Sequence, residues 1–160
     1  MTPAIDHVRS AGVAHSVHEY DSDGRGSYGR EAAIRLGLAP ERVFKTLIAR
    51  IEGSGFVSAI VPVSSELDLK RLAAAAKAKR ASMADPRDAE RATGYLLGGI
   101  SPLGQRRRLP AFVDVSAADH PTVFVSGGRR GLELELAPRD LVTLCGGRCA
   151  RIARSHGASR

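Results

Sequence analysis

The chain predicts an α+β fold, a single domain with a mixed β-sheet flanked by helices. Helix-like and strand-like stretches are intermixed and do not alternate as regular β-α-β units. VFKTLIARI (43–51) and FVSAIVPV (56–63) are strand-like runs joined by EGSG (52–55), a hairpin signal. The 160 residues, 43% of them hydrophobic, supply one self-supporting core without staples. Neither an internal repeat nor an interdomain linker is visible.

Thr2-Pro3 opens the first helix, with Thr as N-cap and Pro at the first helical position, and Gly12 ends it. Residues 13–20 are β-prone and predict a short strand. DSDGRGS (21–27) is a loop by composition, Ser27 caps a helix to Leu36, and Gly37 follows. After the 43–63 hairpin, Asp68 caps the Ala-rich helix LKRLAAAAKAK, which strong helix formers fill throughout. RASM (80–83) reads as a short strand, and Asp85-Pro86 repeats the N-cap and Pro signal of a helix ending at Gly94. A Gly/Pro-rich stretch (96–110) precedes short strands at 112–115 and 122–125. SGGRRG (126–131) turns into LELEL (132–136), whose period of two puts Leu132, Leu134 and Leu136 on one face and Glu133 and Glu135 on the other. Pro138 starts a last helix to Leu144, closed by Gly146-Gly147, and the SHGASR end reads as a frayed tail.

Composition excludes several classes. Apolar content is too high for a disordered or collagen-like chain, and no apolar run approaches the ~18 residues of a membrane span. The first ten residues lack the apolar stretch of a secretory signal, so the chain reads as cytoplasmic. Cys145 and Cys149 make no disulfide framework and have no neighbouring Cys/His pair, so they read as small apolar residues, and neither a metal nor a cofactor is expected. With 24 Lys and Arg against 17 Asp and Glu, the net charge of +7 fits a polyanionic partner or simply an Arg-rich surface. Aromatic residues make up 4%, too few for a base-stacking platform.

Three segments fit a plain fold poorly. In the 43–51 strand, alternation places Lys45 with Val43, Leu47, Ala49 and Ile51, on the more apolar face. Such a lysine either snorkels to water or points its ammonium into a ligand cleft. GGISPLGQRRRLP (98–110) is long for a structureless loop in a compact domain. Its glycines allow close backbone approach to a carbonyl or oxyanion, and Arg106, Arg107 and Arg108 stand ready for phosphates. The third segment is the SGGRRG turn with Arg129 and Arg130. No G-x-S-x-G, H-E-x-x-H, G-x-G-x-x-G or Walker motif is present, and the five His are scattered.

VFKTL (43–47), LDLKRLA (67–73), MADP (83–86), RATGYLLGGISPLGQRRRLP (91–110) and VSGGRRGLELEL (125–136) occur in that order. Together they closely resemble the YbaK/EbsC family of bacterial Cys-tRNA(Pro) deacylases, kin to the editing domain inserted in some prolyl-tRNA synthetases. The likeness spans residues 1 to 154, and the resemblance implies a deacylase (editing) domain over 1–155 with 156–160 as tail. It implies an enzyme of translation that cleaves the ester between a mischarged amino acid and the 3′ adenosine of tRNA. The family's near-invariant lysine falls on Lys45, and its Gly-x-x-x-Pro loop falls on Gly98 to Pro102, implying catalytic roles for Lys45, Gly98 and Gly99. Tyr20, Tyr28, Ser101, Pro102, Ser126, Gly127 and Glu133 are implied at the substrate, and Arg106 to Arg108, Arg129 and Arg130 at tRNA phosphates. Position 28 is commonly Phe in the family, and Glu133 stands where it usually carries Asp, one methylene shorter. The implied mechanism is substrate-assisted: the esterified cysteine's thiol attacks its own carbonyl, and a transient complex with prolyl-tRNA synthetase supplies tRNA identity. The alternatives are a water-using deacylase of Ala-tRNA(Pro) or another small aminoacyl-tRNA, and a non-catalytic module that binds RNA or a synthetase.

Overall fold

The computed structural model describes residues 1–24 and 28–156; the expected cap Ser27, the side chain of Tyr28 and the tail from residue 157 lie outside the described residues. Thr2 caps α1 (Pro3–Ala11), its hydroxyl accepting from the Ile5 N–H at 3.2 Å, and the helix ends at Gly12. β1 (His15–Glu19), α2 (Tyr28–Leu36) and a 3₁₀ turn (Pro40–Arg42) lead to the hairpin of β2 (Phe44–Ile51) and β3 (Gly55–Pro62). Then come β4 (Ser65–Leu67), α3 (Leu69–Ala75), β5 (Ala81–Met83) and α4 (Pro86–Thr93). The Gly/Pro-rich stretch leads into β6 (Ala111–Asp114), a second 3₁₀ turn (Val115–Asp119), β7 (Val123–Ser126) and β8 (Leu132–Leu136). The chain closes with α5 (Pro138–Cys145), β9 (Arg148–Ala150) and β10 (Ala153–Ser155).

The main sheet has five strands in the order β5-β2-β3-β6-β9. β2 pairs antiparallel with β3 and β5, while β3–β6 and β6–β9 are parallel, so the sheet is mixed as expected. β1, β8 and β7 form a second, antiparallel sheet, joined to the first by a parallel bridge between Val43 and Phe124. β10 pairs with β4 alone.

The main sheet is covered on both sides. Phe44, Ile48, Ile60 and Val113 pack with α1 and with Leu132, Leu134 and Leu136 of β8. Ala49, Ile51, Val57, Ala59, Val61 and Phe112 pack with Leu72 of α3 and Ile152. Both faces of β2 are therefore covered, with only Arg50 exposed, because β2 is an inner strand between two layers.

Three further corrections concern local structure. α3 stops at Ala75, well short of the helix-forming run, because the chain must turn to pair β5 with β2. Lys77 takes φ 58 in that turn, with the Ala78 N–H donating back to the Ala73 carbonyl. β4, β9 and β10 were not expected; three residues are too few for a period to register. His156 is not a frayed tail, since its Nε2 lies 3.2 Å from the Val63 carbonyl and its Nδ1 3.6 Å from Glu66. Among the described residues no helix is long and apolar enough to cross a membrane.

Candidate functional site

β5 pairs with β2 only at Ala49–Ile51. The start of β2 therefore keeps an edge with no strand beside it among the described residues, up to the bridge at Val43. A cavity of about 300 Å³ lies along this edge, lined by the consecutive residues Val43 to Leu47 from both strand faces. Tyr20, Gly29, Leu97, Gly98, Ile100, Ser126 and Glu133 close it from the facing segments.

Lys45 is half-buried in this wall, and burial pushes its ammonium below the usual lysine range, with Arg30 adding to the shift and Glu66 opposing it. Gly29 of α2 lies against its strand; a methyl group there would run into Val63 Cγ1 and come within 3.9 Å of Lys45 Cβ. Thr46, the next residue, is missing from the sequence-level candidates because alternation points it away from Lys45. It nonetheless lines the same cavity along the strand edge, and its Oγ1 is buried without a hydrogen-bond partner among the described residues.

Gly98 lines the cavity with φ 89, a left-handed conformation that favours glycine. Gly99 does not line it. Its N–H already donates to the Leu96 carbonyl at 2.9 Å, and a Cβ there would stand 2.7 Å from Arg129 Cα. Gly99 is thus a close-packing point between the loop and the SGGRRG turn. Ser126 joins the same two segments: its hydroxyl donates to the Gly99 carbonyl at 3.1 Å and accepts from the Gly128 N–H at 3.1 Å. Ser101 is fully buried within the loop, accepting at Oγ from the Leu103 N–H, and Pro102 lines a different hollow with His7, Arg108 and Cys145. Gly127 pairs with the Leu132 carbonyl at 2.8 Å, and a Cβ there would press on the Leu132 side chain. Ser101, Pro102 and Gly127 thus lie outside the lining of the Lys45 cavity, Ser101 and Gly127 being hydrogen-bonded within the loop and the turn.

Tyr20 faces the cavity, and burial raises its phenol above the usual range, reinforced by Glu133. Glu133 is 7% exposed, its Oε1 has no hydrogen-bond partner among the described residues, and burial pushes its carboxyl up to about 8.

The arginines divide. Arg130 donates from Nε to buried Glu31 at 3.1 Å, and Glu31 also accepts from the Ser22 hydroxyl at 2.7 Å. Those hydrogen bonds, from Ser22 first, hold the Glu31 carboxyl down to about 2. This cluster ties the 20–24 loop, α2 and the SGGRRG turn around the cavity; sequence reasoning missed it because its members are far apart in the chain. Arg129 reaches Glu19 at 3.0 Å and, with Leu96 and Leu97, lines a neighbouring hollow beside Gly94. Arg106, Arg107 and Arg108 are all exposed, with Arg106 passing over Gly94 and Arg108 over Gly146 at the end of α5. Cys145 is buried and Cys149 exposed.

The chain is similar in sequence and in fold to known proteins. Over 94% of the chain, and 92% of the relative, it is 34% identical to EbsC of Enterococcus faecalis, named as a candidate Cys-tRNA(Pro)/Cys-tRNA(Cys) deacylase. It is 30% identical to the uncharacterized protein YwhH of Bacillus subtilis over 69% of the chain and 70% of that protein. The fold matches the crystal structure of a candidate trans-editing enzyme for prolyl-tRNA synthetase, with a TM-score of 0.83, 23% identity and coverage of 97% and 99%. It also matches the hypothetical protein APE2540, with a TM-score of 0.85, 24% identity and coverage of 95% and 99%. Residues 27–144, which include the cavity edge, the glycine loop and the SGGRRG turn, match the model of the aminoacyl-tRNA editing domain, and the chain belongs to that family.

Proposed function

We propose that this chain is a trans-editing aminoacyl-tRNA deacylase that clears Cys-tRNA(Pro), with the cysteine's own thiol as nucleophile. The observation that carries this reading is the make-up of the Lys45 cavity. It joins an ammonium, a glycine backbone and unpartnered polar atoms, yet among the described residues no His or Cys lines it. Ser126 donates its hydroxyl proton to the Gly99 carbonyl and is hydrogen-bonded to no side chain among the described residues. An enzyme without a Ser-His or Cys-His pair can still gain orders of magnitude by folding a substrate onto itself. The thiol sulfur bonds to the ester carbonyl carbon, the bond to the 3′ oxygen breaks, and the thiol proton passes to that oxygen. Cysteine leaves as a cyclic thioester, and the tRNA is freed.

In this scheme the Gly98 backbone lies against the aminoacyl group, while Lys45 offsets negative charge on the carbonyl oxygen or the terminal phosphate. Gly99 keeps the loop in place. Alanine and proline have no thiol, so they escape even if bound. The editing domain spans 1–155 in this reading, and a transient complex with prolyl-tRNA synthetase in the cytoplasm selects the tRNA. Exposed Arg106, Arg107 and Arg108 and half-exposed Arg129 suit phosphates; Arg130, held by Glu31, suits them less.

The test is release of cysteine and alanine from their tRNA(Pro) esters by the wild type and Lys45→Ala. The expected result is preferential loss of cysteine with a cyclic thioester product, and a fall of about 100-fold or more in the variant, the scale seen when one transition-state contact is removed. Near-wild-type turnover by a folded Lys45→Ala would refute the role of Lys45, and preferential alanine release without the thioester would favour the water-using alternative.

A further inference from the structure

Two glutamates on one face of β8 are treated in opposite ways. Glu135 is fully served: His18 Nε2 lies 2.9 Å from its Oε1, the Thr122 hydroxyl donates to Oε2 at 2.6 Å, and Arg42 Nη2 stands 3.6 Å away. Thr122 first, then His18 and Arg42, hold its carboxyl below the usual range against the effect of burial. Glu133, two residues earlier, is more deeply buried, and its Oε1 has no partner among the described residues. Leaving such a group unsatisfied costs it its desolvation without return, and an apolar side chain of similar shape would avoid that. A polar group left in this state in a cavity wall has its partner in the ligand.

The cavity is also dipolar. Lys45 enters from β2, while Glu133 enters from β8, beside its cross-strand partner Ser126 and near Tyr20. The Lys45 shift is set by burial, Glu66 and Arg30, and the Glu133 shift by burial alone. No ion pair joins the two groups among the described residues, and both line the cavity, from different strands. An aminoacylated nucleotide has the matching polarity, with an α-amino group at one end and an anionic phosphate at the other. The thiol supplies neither charge.

We infer that Glu133 binds the α-ammonium of the esterified amino acid and so sets the rotation of the aminoacyl group against Gly98 and Lys45. The assignment rests on the deacylase reading above. Burial pushes the Glu133 carboxyl up to about 8, and a free α-amino group titrates at ~7.7–8.0. Binding as the amine transfers the carboxyl proton to nitrogen, and binding as the ammonium releases that proton to water. Either route leaves one carboxylate facing one ammonium. Glutamate thereby makes this chain selective for an unmodified amino group as well as for a thiol.

The experiment compares kcat/KM for cysteinyl-tRNA(Pro) and 3-mercaptopropionyl-tRNA(Pro), which keeps the thiol and lacks the amino group, in the wild type and Glu133→Gln. Taking the ratio of ratios cancels the intrinsic reactivity of the two esters. The preference for the cysteinyl ester is expected to fall tenfold or more in the variant, through loss on that ester. An unchanged ratio, including an equal fall on both esters, would overturn the assignment and leave the deacylase reading standing. A wild type that cleaves neither ester would overturn both. Should Glu133→Gln fail to fold, inhibition of the wild type by cysteine methyl ester and by methyl 3-mercaptopropionate decides: at least tenfold tighter inhibition by the amine is expected, and equal inhibition overturns the assignment.

Discussion

At the scale of single residues, the site joins half-buried Lys45 to buried Thr46 and Glu133, whose Oγ1 and Oε1 have no hydrogen-bond partner among the described residues. Lys45, Thr46 and Glu133 share one cavity, and burial disfavours the charged forms of both Lys45 and Glu133. For Glu133 this becomes a stability statement. Its carboxyl is raised from 4.5 in the unfolded chain to about 8 in the fold. Between those values the native state holds a proton that the unfolded state has lost. Its contribution is complete below 4.5 and disappears as pH rises through about 8, with a slope of at most about 1.4 kcal/mol per pH unit. Thermal melting of Glu133→Gln from pH 5 to pH 8 is expected to lose this component, so the variant gains stability relative to the wild type as pH rises. Parallel curves for the two proteins would show that Glu133 ionises freely in the fold. Glu133 was legible as a site position in the sequence, but its partnerless state was not, since nothing in LELEL separates Glu133 from Glu135. Thr46 was hidden for another reason: alternation assigns faces, whereas this cavity runs along a strand edge and takes residues from both.

Among the elements, most boundaries followed from local chemistry. Thr2, Asp68 and Asp85 cap α1, α3 and α4 with side-chain oxygens, as their sequence positions indicate. The exception is α3, where a run of good helix formers ends early because β5 must reach β2. Helix propensity is a preference of a few tenths of a kcal/mol per residue, and sheet pairing overrides it. The turn leaves Lys77 at φ 58, a conformation that costs an L-residue about 1–2 kcal/mol. Lys77→Gly is expected to stabilise the chain by about 0.5–1 kcal/mol after the greater flexibility of glycine in the unfolded state is subtracted. Chemical denaturation reads this directly, and a destabilised variant would mean that the lysine side chain contributes more than its backbone conformation costs.

Across the whole molecule, one carboxylate adds to the β6–β9 and β4–β10 pairings in binding the last segment back to the main sheet. Asp114 at the end of β6 accepts the Ile152 and Ala153 N–H groups at Oδ1, both at 2.9 Å, and the Ser116 N–H at Oδ2. Burial works to raise its carboxyl, and these hydrogen bonds outweigh it. Asp114→Ala is expected to cost about 2–3 kcal/mol by leaving buried N–H groups unpaired, seen as a lower denaturation midpoint. A loss under about 0.5 kcal/mol, the level of an ordinary surface change, would refute that anchoring role. No pattern around residue 114 indicates this link, because its partners lie 38 and 39 residues away. The same distinction holds for the protein as a whole. By itself, the sequence determined the fold class, the hairpin, most helix ends, the family resemblance, and the presence of Lys45, Gly98, Tyr20 and Glu133 among the candidates, because caps, periods and motifs are written in neighbouring residues. Only the tertiary structure decided that Gly99, Ser101, Pro102 and Gly127 lie outside the cavity lining, that Thr46 enters it, and that of two similar glutamates Glu133 has an oxygen without a partner among the described residues. Those outcomes depend on which distant segments meet, and burial and pairing are properties of that meeting.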